Sequence, residues 1–524
     1  MTSKKSILII TLITITVFSI VILFANLFSS FNQPQVQEKL EVYQTDIVLQ
    51  AAEFDLDAVI EDDDTAEKFT YLRNNLSLGG QTPYVAARSQ YLRSRQAAKK
   101  NVEIFNQQLD KLQSATPTNL EKNLAEEQIQ QEISDEDLFI DKLNLRLGIL
   151  YAIDSNQAVA EATWQELIQS SDDRIRKTAI ALTQLWKQPP IVVDNAQTLI
   201  ESQLNGWFRY HALKQLYQAQ NQEEQLQALT EQEQVSAQNA LLKLVALTSI
   251  PIIGGAFGVG LFLFLLIQLA WKKEQSLIAR NYNKPWSAPW DGLVIWAVLV
   301  IGFFFWGQML LPIVLGLLGT IIPLNVAEMS IRGKAIYVLG NYLALAAGGL
   351  SVLYFSLKRF FPLDKDWFRF QWFGTWPLWG LGGYLIALPS VVLVSLLNQQ
   401  IWGGQGGSNP LLSFALEAQD PFVLFVFFFT AAIAAPIYEE IMFRGFLLPS
   451  LTRYVPVWGA ISISGLIFAI AHLNLSEVLP LLALGIILGM VYTRSRNLLS
   501  SILLHSLWNS GTLFSLFILG TGAN

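Results

Sequence analysis

Three polar groups interrupt an otherwise apolar C-terminal region. Glu439, Glu440 and Arg444 stand in Pro436-Ile437-Tyr438-Glu439-Glu440-Ile441-Met442-Phe443-Arg444. Phe468 and His472 close Phe468-Ala469-Ile470-Ala471-His472, and His505 and Asn509 open and close His505-Ser506-Leu507-Trp508-Asn509. Two of the chain's three histidines fall in these groups. Ionisable side chains within membrane-spanning sequence are costly and point to function. Carboxylate, imidazole and amide together suit hydrolysis, which needs a base for water and donors for a tetrahedral oxyanion. The chain contains no cysteine, which removes thiol nucleophiles, disulfides, thiolate metal sites and iron–sulfur clusters. Ser506 is no partner for His505, because adjacent helix positions face different ways.

Helical spacing assigns the roles. Glu440 and Arg444 are i,i+4 on one face and can pair. Glu439, turned about 100° from Glu440, is then free to act as general base. Phe468 and His472 share a face, as do His505 and Asn509. Glu439 and His472 are 33 residues apart, centred on Val455-Pro456. A turn there puts both at a similar depth, roughly 24 Å along their helices, so that they can meet. His505 lies only about 12 Å into its own helix, so Gly445–Tyr454 must extend past the start of that helix; this places the site in the cytoplasmic half of the membrane. In this scheme His472 orients the water, His505 and Asn509 hold the oxyanion, and Glu440–Arg444 locks the base-bearing helix. A zinc site made by Glu439, His472 and His505 is the alternative. No H-E-x-x-H spacing supports it, and Asn509 is a better donor than ligand, so the metal-free version is favoured. The competing structural reading is a polar cluster that joins helices.

The elements that must position these residues are membrane helices. Of 524 residues 52% are hydrophobic and 15% charged, well under the ~25% charge of a soluble domain. The net charge of −7 offers no basic field for nucleic acid. Apolar spans are expected at about 6–28, 246–270, 291–318, 335–357, 374–397, 421–443, 457–473, 478–493 and 498–519. The first is read as an uncleaved anchor, since it is too long for a signal peptide and no A-x-A site follows. Between about Ser29 and Asn239 the chain is rich in Gln, Glu and Ala, with acidic runs such as Glu61–Asp64, and reads as a soluble helical domain of stacked helix pairs. His211 in this region reads as a surface or packing residue. Gly254, Gly255, Gly258 and Gly260 read as close helix packing and not as a phosphate loop.

Lys and Arg set the orientation. Lys4, Lys5, Lys272, Lys273, Arg280, Lys284, Lys358, Arg359, Lys365, Arg369, Arg453, Arg494 and Arg496 all fall on one side of a nine-span chain. The expectation is an all-α polytopic membrane bundle of about nine spans with a soluble extracytoplasmic helical domain. It divides into an anchor at 1–28, the helical domain at 29–239, leading membrane helices at 240–370 and a catalytic membrane core at 371–524. The N-terminus is cytoplasmic, and residues 29–239 and the C-terminus are outside.

In their order on consecutive C-terminal helices, Glu-Glu-x-x-x-Arg, Phe-x-x-x-His and His-x-x-x-Asn resemble the CPBP (Abi, CAAX-protease) family of intramembrane endopeptidases. The resemblance covers about Leu378–Phe517, and Glu439, Glu440, Arg444, Phe468, His472, His505 and Asn509 all match it. It implies hydrolysis of a peptide bond in a membrane-associated protein or peptide within a lipid bilayer. It also implies that Glu439, Glu440, Arg444, His472, His505 and Asn509 form the site, and it carries the metalloprotease label common in the family. Eukaryotic members trim prenylated CAAX proteins; the acid-rich outer domain is prokaryotic in style, so a prokaryotic inner (plasma) membrane and a non-prenylated substrate are expected. Beyond a divalent metal such as zinc, no cofactor is implied. The 29–239 domain is not part of the family pattern and is a candidate for binding a protein partner. Two other classes compete with the protease: a catalytically inactive relative with a binding, immunity or scaffold role, and a proton-coupled transporter. The transporter lacks the paired interrupted helices common in that class.

Overall fold

The computed structural model describes residues 3–31, 33, 37–55, 82–114, 119–321, 329–403, 405–408 and 420–520. The acidic run Glu61–Asp64 and Gly404 of the glycine-rich loop lie outside them. The regular elements described are helical. They fall into two compact units, one of Met1–Gln35 with Ser249–Phe517 and one containing Val36–Thr248.

The second unit contains the helices that come next in the chain after α1 (Ser3–Ser30), which lies in the membrane unit. These are α2 (Gln37–Ala52), α3 (Pro83–Ser114), α4 (Asn119–Ile153), α5 (Gln157–Glu166), α6 (Asp173–Leu185), α7 (Ala196–Gln203) and α8 (Gly206–Ala219). The first part of α9 (Glu223–Lys272) also belongs here. Consecutive helices pack on one another around Tyr91, Leu145, Trp164, Leu182 and Phe208. Gly148 is required where Trp164 crosses α4, because a Cβ there would overlap the indole, whose nitrogen donates to the Leu145 carbonyl at 3.1 Å. Asp172 caps α6 by accepting from the Arg174 and Ile175 amides. His211 packs on Trp207 and pairs with Glu53 at 3.1 Å, the packing role of the two its sequence context allowed. Burial alone would raise the Glu53 carboxyl, but His211, Trp207 and Tyr84 bond to it and hold it below its ordinary value.

The membrane unit contains α1, the rest of α9, α10 (Gly292–Leu318), α11 (Ile331–Leu357), α12 (Trp376–Trp402), α13 (Pro421–Leu451), α14 (Val457–Ile470), α15 (Val478–Ser495) and α16 (Leu498–Gly520). Among the described residues eight helices are long and apolar enough to cross a membrane. The expected seventh crossing, α14, is shorter, with 14 residues or about 21 Å against ~30 Å of hydrocarbon. It ends at the turn that holds His472 and Leu473, whose φ of +63° breaks the helix.

The loops rich in Lys and Arg gather at one end of this unit. Asn281 Nδ2 donates to the Arg494 carbonyl at 3.2 Å, Trp286 Nε1 to the Asp366 carbonyl at 3.3 Å, Arg453 to the Trp290 carbonyl at 2.7 Å, and the Leu498 amide to the Arg369 carbonyl at 3.0 Å. The loops after α9, α11, α13 and α15 therefore share an end, as alternate crossings require. Away from it, Leu475 N donates to Ser30 Oγ at 3.2 Å and Arg332 pairs with Asp420 at 2.6 Å. A Cβ on Gly445 would stand 3.3 Å from Leu498 Cδ1, so α13 continues past the start of α16 for the length that the position of His505 demands.

Candidate active site

Helix α13 carries the first polar group between two departures from α-helical winding. Residues Phe429–Ala434 and Ile441–Leu447 are π-helical and flank Ala435–Glu440. Such turns concentrate at functional sites. In the first one the Ala435 amide bonds the Thr430 carbonyl, an i→i+5 register. The next donor in that register would be residue 436, a proline with no N–H. The Ala431 carbonyl is thus left without an intrahelical partner, and Asn509 Nδ2 donates to it at 2.7 Å from α16. One of the two Asn509 amide hydrogens is committed there and the other is free.

Glu440 and Arg444 pair at 2.7 Å, and both side chains have zero exposure. Arg444 also donates to the Gly485 carbonyl at 3.1 Å. That carbonyl is within reach because α14 and α15 touch backbone to backbone, with a Cβ on Gly485 falling 2.9 Å from Gly465 Cα. The Arg444 guanidinium lies 4.5 Å over the Phe468 ring. The same ring meets His472 at 4.9 Å and His505 at 5.6 Å, both edge to face. Phe468 is therefore the apolar floor on which the cation and both imidazoles rest.

The hydrogen bonds set the tautomers. Glu440 Oε1 also faces His505 Nδ1 at 3.0 Å; a carboxylate bound to Arg444 accepts, so His505 Nδ1 carries the proton. His472 Nδ1 faces the Phe468 carbonyl at 2.8 Å and must likewise donate. Each neutral ring then keeps its lone pair on Nε2. His505 Nε2 stands 3.9 Å from Glu439 Oε2. Glu439 Oε1 accepts from Tyr342 Oη at 3.0 Å, whereas Oε2 has no hydrogen-bond partner. The Glu439 side chain retains 15% exposure where Glu440 has none, so Glu439 is the more accessible of the two carboxylates, with Oε2 itself turned inward.

The structure thus brings Glu439, Glu440, Arg444 and His505 together, with Phe468 beneath. His472 shares the Phe468 platform, but no hydrogen bond or ion pair joins it to Glu439 among the described residues. The three candidate zinc donors do not fit an ion as they stand: among the described residues no three His, Asp or Glu groups converge closely enough to hold one. Tyr342 was not singled out by sequence. It comes from α11, 97 positions before Glu439, in none of the three motifs; its only signal is the polar pair Asn341-Tyr342 inside an apolar span.

Comparison with known proteins falls on the same residues. The profile described as Type II CAAX prenyl endopeptidase Rce1-like matches residues 421–511, a stretch that holds all seven motif residues. The C-terminal membrane helices are thus similar to the CPBP family that the motifs resemble. Two curated relatives of the CPBP segment are the membrane-embedded CAAX protease MroQ of Staphylococcus aureus (strain USA300) and the putative membrane peptidase YdiL of Bacillus subtilis (strain 168). The first is 28% identical over 137 residues, 25% of this chain and 54% of the relative. The second is 28% identical over 134 residues, 25% of this chain and 53% of the relative. The chain therefore spans about half the length of these relatives. No solved structure matches the chain. Tyr342 lies outside the profile match.

Proposed function

We propose that this chain is an intramembrane endopeptidase that hydrolyses a peptide bond of a membrane-associated protein or peptide. The observation that carries the reading is the division of labour between adjacent carboxylates. Glu440 is sealed, with Oε1 spent on Arg444 and His505 and no exposure, while the Glu439 side chain keeps 15% exposure and bonds only through Oε1 to Tyr342 among the described residues.

Glu439 Oε2 accepts a proton from water, and the hydroxide adds to the scissile carbonyl carbon. The resulting oxyanion is held by the free Asn509 amide hydrogen and by His505. With Nδ1–H fixed on Glu440, His505 can donate from Nε2 only when its ring carries both protons. Collapse of the intermediate breaks the C–N bond, and the proton on Glu439 passes to the leaving amine. Tyr342 holds Glu439 Oε1 and so aims Oε2. His472, its Nδ1 committed to the Phe468 carbonyl, offers Nε2 to orient the water. The step needs no metal; a zinc would require Glu439, His472 and His505 to draw together.

The Lys- and Arg-rich end is assigned to the cytoplasm of a prokaryotic plasma membrane, which puts the helical domain outside, where it is a candidate for binding a protein partner. Protease added to sealed right-side-out cells should digest that domain; its survival beside a digested outer control would reverse the orientation. The function itself is tested by comparing membrane proteomes of cells with wild-type protein and with Glu439→Gln. A defined set of membrane-associated proteins should persist uncut in the variant. Identical proteomes would remove the reading.

A further inference from the structure

Apart from the Glu439 site, the membrane unit contains an apolar cleft of about 690 Å³ between α9, α12 and α15. Its walls include Phe264, Ile386, Val394, Ile487 and Met490, and its polar end is formed by Arg280, Arg494, Tyr282 and Thr375. None of the seven motif residues lines it. The lining on α12 runs from Leu378 to Val394, about 24 Å along the helix. That exceeds the roughly 15 Å depth of one leaflet's hydrocarbon, so the cleft has the length of an extended acyl chain.

The arginines determine what fits. Arg494 is held in place by packing, with its guanidinium 4.5 Å over the Trp379 ring and its Nε donating to the Leu277 carbonyl. Its terminal nitrogens make no described hydrogen bond. Arg280 is exposed, and it is the charged group that bears on Arg494 through space. Neither arginine pairs with a carboxylate among the described residues. Two cations left side by side without an acid, at the mouth of an apolar slot, make an anion-binding point joined to a hydrocarbon-binding groove. Both follow even-numbered crossings, and so share the Lys- and Arg-rich end described above.

We propose that this cleft binds one anionic membrane phospholipid, its phosphate-bearing headgroup on Arg280 and Arg494 and one acyl chain along α12 and α15. A free anion would gain nothing from the apolar walls, and a neutral lipid would leave the arginines unpaired. The contact also has a bearing on the site. Ile486 lines the cleft, next to Gly485, whose carbonyl holds Arg444. An acyl chain seated there buttresses α15 from the outside.

The test uses the full-length protein in mild detergent, titrated with phosphatidylglycerol or with phosphatidylcholine of the same chains and read by native mass spectrometry. One phosphatidylglycerol should be retained in preference to phosphatidylcholine. Arg280→Gln/Arg494→Gln should weaken that retention roughly 30-fold, from the electrostatic contribution of two arginines near a membrane surface. Because Arg494 also packs on Trp379, two further variants keep it intact. Arg280→Gln alone should lose part of the preference, and Ser390→Phe, which fills the slot, should lose retention of both lipids. Equal retention of the two lipids by wild type, or unchanged phosphatidylglycerol retention by Arg280→Gln and Ser390→Phe, would overturn the proposal.

Discussion

Removing the Arg444 guanidinium tests how the site is held. Arg444 is fully buried, bonded to Glu440 at 2.7 Å and to the Gly485 carbonyl at 3.1 Å, and it rests on Phe468. Arg444→Met keeps the length and apolar bulk but leaves Glu440 as an uncompensated charge. Breaking a buried pair from one side costs about 3–5 kcal/mol, which for a unit of this size lowers the melting temperature on the order of 10 °C. Glu440→Gln should cost a similar amount from the other side. The double variant removes both charges, so its loss should fall short of the sum by about 2–3 kcal/mol. Intrinsic tryptophan fluorescence during thermal unfolding in detergent reads all four proteins. Strict additivity would refute the claim that these groups act as one buried pair. Because Glu440 also fixes His505 Nδ1, Glu440→Gln should lower turnover beyond its effect on folding. A variant that is destabilised yet turns over at wild-type rate below its melting point would show that His505 needs no such anchor.

Three other outcomes follow from particular contacts. Tyr342→Phe removes the one side-chain hydrogen bond that Glu439 makes among the described residues and should lower turnover roughly 10- to 100-fold, the worth of a bond to a charged group, with little change in melting; unchanged turnover would take Tyr342 out of the site. Asn509→Ala should lower turnover by about 10²–10³ as an oxyanion donor and also destabilise by about 1–3 kcal/mol, since the Ala431 carbonyl loses its partner; a change in melting alone would leave Asn509 with only its helix-mending role. In the helical domain of α2–α8, burial, aided by the Glu41 and Glu136 carboxylates, pushes Glu38 up to about 7. A carboxyl whose folded value lies above its unfolded one costs nothing below about pH 4.5 and its full amount above about pH 7, so Glu38→Gln should protect this domain from thermal unfolding at pH 8 and leave it unchanged at pH 4, as read by proteolysis of the heated full-length protein.

The parts of the site legible in the sequence are those that obey helical periodicity. The Glu440–Arg444 pair follows from i,i+4 spacing, as does the sharing of one face by Phe468 and His472. The common end of four basic loops follows from alternating crossings. The extension of α13 past α16 follows from the unequal distances of Glu439 and His505 from their turns. What the sequence concealed depends on broken periodicity or on distance along the chain. The bond from Asn509 to Ala431 exists because a π turn meets Pro436, and winding of that kind leaves no pattern in residue types. The shortness of α14 was hidden because apolar residues continue through Ala471 into a turn. Tyr342 reaches Glu439 from a helix outside the motifs, and nothing local to residue 342 says which helix it will face. The expected meeting of Glu439 with His472 rested on equal depth alone. Depth does not fix rotation, and in the structure His505 takes that side of Glu439 while His472 turns to the Phe468 carbonyl.

The central claim is that Glu439 delivers water to a peptide bond without a metal. Its most direct test is hydrolysis by the purified, reconstituted protein of a substrate drawn from the proteome comparison, in ¹⁸O-labelled water, with metal content measured before and after chelation. The wild type should place one ¹⁸O in the new carboxyl group at the same rate with and without chelator, and Glu439→Gln should place none while melting normally. Cleavage by Glu439→Gln at the wild-type rate would contradict the account, and so would activity that vanishes with a stoichiometric metal and returns when it is restored.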